Sequence, residues 1–351
     1  MINVEANVWE QDEQRFPTQG PEAEKFAFLL NYAILAPSRL NAQPWLFRIA
    51  AGAVELHADR RRALPTGDPD DRAMTIGCGA VLLNLRVTMR AFGFNDVVET
   101  LPDCANGDLL ARVRLGPPRE PGVYERAVFR AITERASHRQ PFEERSVPAM
   151  MVASLLAAAE EHDARLHVVE NKHARHAVAD LVAQSGIELF GDKSYRRELA
   201  AWIHPSHSAS GDGIPERAHG LGKLLDPGAS VLDFVLHGGE FARRVAERDR
   251  KLVQDAPVLA LIETEDDTPA AWLAAGQALE NVLLCVCAQG LSAGIISEPI
   301  EAPGLRAKLR DVAGCKGVPQ LLLRVGFHNE TFHTPRRPVS EVLLAAGPAV
   351  A

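Results

Sequence analysis

The feature that most restricts how this chain can fold is a pattern that it carries twice. Gly79, Leu82, Asn84, Ala91 and Gly93 return as Gly276, Leu279, Asn281, Ala288 and Gly290, at one constant offset and without gaps. In the first copy Ile76, Ala80, Leu83, Val87 and Ala91 fall at helical spacing between Met74 and Phe94, and Gly93 stands where a C-terminal cap belongs. The second copy reads as a core helix over Ala270 to Gly290. A strand recurs as well, as Arg112 to Gly116 (RVRLG) and Leu322 to Gly326 (LLRVG). Internal duplication is therefore the expected architecture, with one repeat over about residues 23–120 and the other over about 125–330. The Pro/Gly-rich run from Gly116 to Gly122 is the expected boundary between half-domains 1–120 and 121–351.

Composition removes several function classes. A net charge of -8 and a pI near 5.9 argue against a nucleic-acid or anionic-membrane surface, because phosphate backbones demand concentrated Lys and Arg. Five cysteines without a CxxC pair suggest neither a disulfide framework nor a zinc site, and fit a reducing cytoplasm. The N-terminus carries acids and no apolar core, unlike a secretory signal. The longest apolar stretch, Ala274 to Ile296, is broken by Gln277, Glu280, Asn281 and Gln289, so no membrane segment is expected. His204, His207 and His219 lie near Asp212 without metal-ligand spacing, and Ser206, Ser208 and Ser210 lack a nucleophile-elbow context. Cys285 and Cys287, two apart on a helix, read as packing residues.

Ala33 to Ile49 (AILAPSRLNAQPWLFRI) reads as helix, tight loop and strand. Pro37 and Pro44 stiffen the loop, which leaves Ser38, Asn41 and Gln43 either as local backbone caps or as ligand contacts. Trp45 to Ile49 and Val54 to His57 suggest a hairpin. In Arg135 to Phe142 (RASHRQPF) two guanidinium forks flank a hydroxyl, which suits a phosphate monoester, although such a cluster standing alone is more often a solvated surface. Arg336 and Arg337 stand between Pro335 and Pro338, where the stiff backbone keeps both side chains from collapsing onto the chain; in isolation the pair reads as a basic tail. His204 to Ile214 is a loop long enough to be a lid. No GxGxxG follows a strand, so a dinucleotide fold is not indicated.

Taken together, these motifs resemble the FMN-dependent nitroreductase family, and specifically its tandem, Acg-like branch, over most of residues 25–340. Pro37, Ser38, Asn41, Gln43, Pro44 and Trp45 are similar to the loop that reaches across that family's subunit interface to the partner's flavin. Arg135, Ser137 and Arg139 resemble its grip on the FMN phosphate and ribityl chain, and Arg324, Gly326, Arg336 and Arg337 resemble the residues that complete the pocket. Gly290 to Pro299 matches the segment whose backbone approaches the flavin N5, although Ile295, Ser297 and Glu298 stand where many members have Pro, Glu and Gly.

The resemblance implies an α+β nitroreductase-like fold in which two fused half-domains imitate the family's dimer. The first half keeps the loop and lacks the Arg-x-Ser-x-Arg motif; the second half has the reverse. It implies one FMN, a cofactor site of Arg135, Ser137, His138, Arg139, Arg336 and Arg337 with Pro37, Ser38, Arg39, Asn41 and Gln43 opposite, and Ile296, Ser297 and Glu298 beside the ring. No catalytic acid or base is named. NADH or NADPH is the implied transient donor, and a nitro, quinone or similar small molecule the acceptor. The fused chain is expected to be a monomer, and the alternative function is storage or sequestration of FMN with little or no turnover.

Overall fold

A computed structural model describes residues 8–205, 208–215, 238–328 and 332–345. Ser206, His207 and His219, from the serine and histidine clusters of the sequence, lie outside these residues, as does the middle of the expected lid loop. The fold is α+β. Its first sheet holds β1 (Trp45–Ala50), β2 (Ala53–Ala58), β3 (Phe94–Thr100) and β4 (Leu109–Pro118), all antiparallel, in the order β1-β2-β4-β3. The second holds β5 (Arg165–Val168), β8 (Val258–Thr264), β9 (Ser292–Ile296) and β10 (Val318–Gly326), also antiparallel, in the order β5-β8-β10-β9. In each sheet the strands lie first, second, fourth, third by their own chain order.

In each sheet, too, a 20-residue helix joins the second strand to the third. These are α2 (Arg72–Ala91) and α8 (Pro269–Ala288), which pack along each other at the centre of the molecule. Pro269 and the Thr268 side chain, which accepts a hydrogen bond from the Ala271 amide, start α8. Gly93 (φ 87°) and Gly290 (φ 70°) end the two helices in the left-handed conformation that glycine adopts without strain. By composition α8 could span a membrane; 72% of its apolar window is buried, so its apolarity serves the core.

The contact between α2 and α8 is reciprocal. A Cβ on Gly79 would lie 2.2 Å from the Leu273 carbonyl oxygen, and one on Gly276 would lie 2.0 Å from that of Ile76. The side chain of Asn84 donates to the Tyr32 carbonyl of α1 (Glu22–Ala33), and that of Asn281 to the Ala158 carbonyl of α4 (Ala149–Glu160). Each central helix is thus tied to another helix of its own half.

The halves differ in what joins their first two strands. β1 and β2 form a hairpin through Ala51 and Gly52. Between β5 and β8 the chain makes a long excursion through α5 (Lys172–Gly191), α6 (Lys193–Ala201), the short strands β6 (Ile203–His204) and β7 (Ile214–Pro215), and α7 (Gly238–Gln254). On β8, Val258, Ala260 and Ile262 face α4 and α8, while Leu259 and Leu261 face the excursion. Burial on both faces explains its continuous apolar run. Two helices not expected from the sequence, α7 and α10 (Leu305–Ala313), are amphipathic: Phe241, Ala242, Val245, Ala246, Leu252 and Val253 of the first, and Leu305, Leu309 and Ala313 of the second, are buried. The Gly116 to Gly122 linker is shorter than expected: Gly116 to Pro118 still belong to β4, and α3 (Val123–Glu134) begins directly after Gly122.

Close approach of two backbones is available only to glycine, so Gly79→Ala or Gly276→Ala should destabilise the protein by about 3 kcal/mol or more. Gly107, where a Cβ meets nothing within 4 Å, is the control and should shift by less than about 0.5 kcal/mol. Denaturant midpoints measure both.

Candidate functional site

The loop after α1 is held in a conformation that side chains rarely tolerate. Leu40 (φ 52°), Asn41 (φ 53°) and Gln43 (φ 50°) all lie in the left-handed region, at a cost of order 1–3 kcal/mol each that only surrounding structure can sustain. Asn41 Nδ2 donates to the Gly213 and Pro335 carbonyls at 2.9 Å each, and its Oδ1 accepts from Arg336 at 2.9 Å. Gln43 donates to the Gly211 carbonyl at 2.8 Å and accepts from the Arg337 amide at 2.9 Å. Ser38 Oγ accepts from the Gln43 amide at 2.8 Å.

This loop forms one wall of a cleft of about 1200 Å³ including its mouth. Opposite it are Ser137, His138 and Arg139, placed by β9: the His138 amide donates to the Ala293 carbonyl at 2.7 Å, and Gly294 leaves room for the His138 carbonyl, which a Cβ would approach to 2.3 Å. The first turn of α2, with Arg72 and Ile76, closes one side. Ile296, Ser297 and Glu298, at the junction of β9 and the short helix α9 (Glu298–Glu301), close another, and Arg248 and Asp249 of α7 also line the cleft.

Pro37, Ser38, Ser137 and Arg139 continue into a smaller adjoining pocket of about 370 Å³, whose remaining walls include Asn41, Arg135, Arg336 and Trp9. Arg135 and Arg336 are buried, and both donate to the Leu35 carbonyl, at 2.6 and 3.0 Å. Glu280 is the one carboxylate within ion-pair distance of any of Arg135, Arg139 and Arg336 among the described residues, 3.4 Å from Arg135 Nε. Burial pushes Glu280 up to about 7 against the pull of Arg135 and Arg336. Burial likewise pushes Arg139 down to about 10, helped by the nearby Arg39 and Arg248 cations, and Arg336 well below its usual range, helped by Arg135. Arg135 Nε and Arg336 Nε are buried without hydrogen-bond partners. Three guanidiniums against at most one carboxylate make a cavity that favours a small dianion.

Not every residue of the sequence-based site faces these cavities. Pro37, Ser38, Arg39, Ser137, His138, Arg139, Ile296, Ser297 and Glu298 line the cleft, and Asn41, Arg135 and Arg336 line the smaller pocket. Gln43 and Arg337 lie behind the wall, where the Arg337 guanidinium donates to the Gln43 and Glu341 carbonyls at 3.4 and 2.8 Å. The Arg39 guanidinium is committed to Glu301 and to Tyr195 Oη at 2.7 Å. The His138 ring sits against His328 at 3.9 Å, and burial holds it down to about 4, so it is neutral at pH 7.

Sequence reasoning did not single out Trp9, Arg72, Arg248, Asp249 or Glu301 for the site. Trp9 stacks on His333 at 4.1 Å and donates to the Thr334 carbonyl. Glu280 did carry a signal: the helix repeat places an acid there where the first copy has Leu83. No group of three or more metal-ligating side chains occurs among the described residues.

Residues 132–327 match the sequence profile of the Nitroreductase family. The Mycobacterium tuberculosis H37Rv protein named "Putative NAD(P)H nitroreductase Rv3131" is 30% identical over 331 residues, 93% of each chain. "Putative NAD(P)H nitroreductase acg" of the same organism is 29% identical over 316 residues, 88% of this chain and 92% of that one. The crystal structure of the FMN-dependent nitroreductase NfnB from Mycobacterium smegmatis in complex with NADPH aligns at 17% identity over 64% of this chain and all of that one, with a TM-score of 0.42. A profile match across more than half the chain, and a relative 30% identical along nearly all of it, show that the chain belongs to the nitroreductase family.

Proposed function

We propose that the protein is an FMN-dependent oxidoreductase that takes hydride from NADH or NADPH and passes it to a nitro, quinone or similar acceptor. The observation that carries this reading is the three-arginine pocket opening into the cleft. A phosphate monoester brings close to two negative charges and three acceptor oxygens, which answer the excess positive charge of Arg135, Arg139 and Arg336. From that anchor, a ribityl chain would pass between Ser38 and Ser137, and the ring would occupy the larger cleft. FMN supplies the hydride chemistry when bound. The protein orients the ring between the strained loop and β9, and keeps the phosphate dry. Arg337 and Gln43 act behind the site by fixing Arg336 and Asn41.

The same reading makes the chain an internal pseudo-dimer. The matched strand orders and the reciprocal approach of Gly79 to Leu273 and Gly276 to Ile76 support it, since a two-fold interface pairs residue i with j and j with i. The position related to the cleft lacks an Arg-x-Ser-x-Arg motif, and the Arg86, Arg90 and Asp96 ion pairs stand in the first half instead. One FMN per chain is the consequence.

Purified protein should bind FMN at one per chain, and its absorption should bleach when NADPH or NADH is added without oxygen. Yellow protein that stays oxidised would instead indicate storage. Arg139→Gln removes a cation that has no ion-pair partner among the described residues. It should weaken FMN about 10- to 100-fold and riboflavin much less, in a fluorescence-quenching titration. Glu280 resists ionisation in the fold, so its protonated form favours a neighbouring dianion and its ionised form opposes it. FMN affinity of the wild type should fall as pH rises through about 7, and Glu280→Gln should abolish that fall.

A further inference from the structure

Three carboxyl groups, those of Asp249, Glu298 and Glu301, line the cleft together, and two have guanidinium partners. Glu301 holds Arg39 and accepts from Tyr195 Oη at 3.1 Å; Asp249 holds Arg248 at 2.8 Å. Glu298 has no ion-pair partner among the described residues. Its Oε2 accepts from the Ser297 amide at 3.1 Å, and its side chain lines the cleft beside Ile296 and Ser297. The charged groups facing it are Asp249 on α7, Glu301 on its own helix and Arg39 on the opposing loop; Arg39 is already committed to Glu301 and Tyr195.

A carboxyl packed beside two others, with the local cations taken, resists losing its proton, and burial raises Asp249 in the same way. Burial, with Asp249 and Glu301 beside it, pushes Glu298 up to about 7. Such a group is matched to donate a proton at neutral pH, and Glu298 lines the cleft that the flavin reading assigns to the ring and its acceptor.

We propose that Glu298 is the proton donor to the electron acceptor, a role that rests on the flavin reading above. For a quinone, FMN when bound would supply the hydride, which carries two electrons and one hydrogen nucleus. The Glu298 O–H bond breaks and its proton ends on the quinone oxygen, giving the hydroquinone. The Glu298 carboxylate then regains a proton from water through the cleft mouth, and the cycle leaves the protein unchanged.

The test uses the full chain. Infrared spectra of the FMN-free protein should show a protonated-carboxyl band that titrates near pH 7 and is missing in Glu298→Gln; Glu280→Gln separates the other carboxyl that titrates in this range. In stopped flow, reoxidation of the reduced FMN-loaded wild type by 1,4-benzoquinone should slow as pH rises through about 7. Glu298→Gln should lower that rate about 10²- to 10⁴-fold and flatten its pH profile, Glu298→Asp should recover part of it, and reduction by NADPH should persist. Equal rates and equal pH profiles in wild type and Glu298→Gln, with FMN bound in both, would overturn the proton-donor role and leave the flavin reading standing. Failure of the wild type to bind FMN would remove the flavin reading and this step with it.

Discussion

The structure depends on the closeness with which α2 and α8 pass at Gly79 and Gly276. Two glycines facing each other let the backbones touch, and each carbonyl occupies space that a side chain on the other helix would fill. Everything on either side is referred to that crossing. α2 brings Arg72, Ile76 and Gly77 to the cleft from the first half, and α8 brings Glu280 to the arginines of the second. A looser crossing would separate the strained loop from the Arg135 to Arg139 segment that it faces.

Charge and strain are concentrated in the same few residues. Asn41 holds a left-handed backbone while its side chain joins the Gly213 carbonyl, the Pro335 carbonyl and Arg336. Arg336 and Arg135 are in turn fastened to the Leu35 carbonyl. The arginines are thus pre-positioned by neutral acceptors, which orient a guanidinium without cancelling its charge. Had carboxylates done the same work, as Glu301 does for Arg39, the pocket would hold little attraction for an anion.

Much of this was legible in the chain. The helix repeat, the capping glycines and the Arg-x-Ser-x-Arg motif are local patterns, and local patterns survive in sequence. The strained loop was legible as a rigid polar turn because Pro37 and Pro44 bracket it. Arg248 and Asp249 were not, since an amphipathic helix rich in Arg, Glu and Asp gives no sign of which charge turns inward. Nor could sequence separate Arg336 from Arg337: adjacent residues in an extended segment point to opposite sides, and only the packing of Gln43 and Glu341 decides which one faces the cavity. Trp9 was hidden because its partners, His333 and Thr334, lie at the far end of the chain.

The central claim is that the arginine pocket holds the FMN phosphate as a dianion, and phosphorus NMR of the bound cofactor tests it most directly. Free phosphate monoesters take up a proton near pH 6. If Arg135, Arg139 and Arg336 surround the group, the bound resonance should keep its dianion shift from pH 8 down to pH 5. A bound resonance that titrates near 6, as in free FMN, would contradict the assignment.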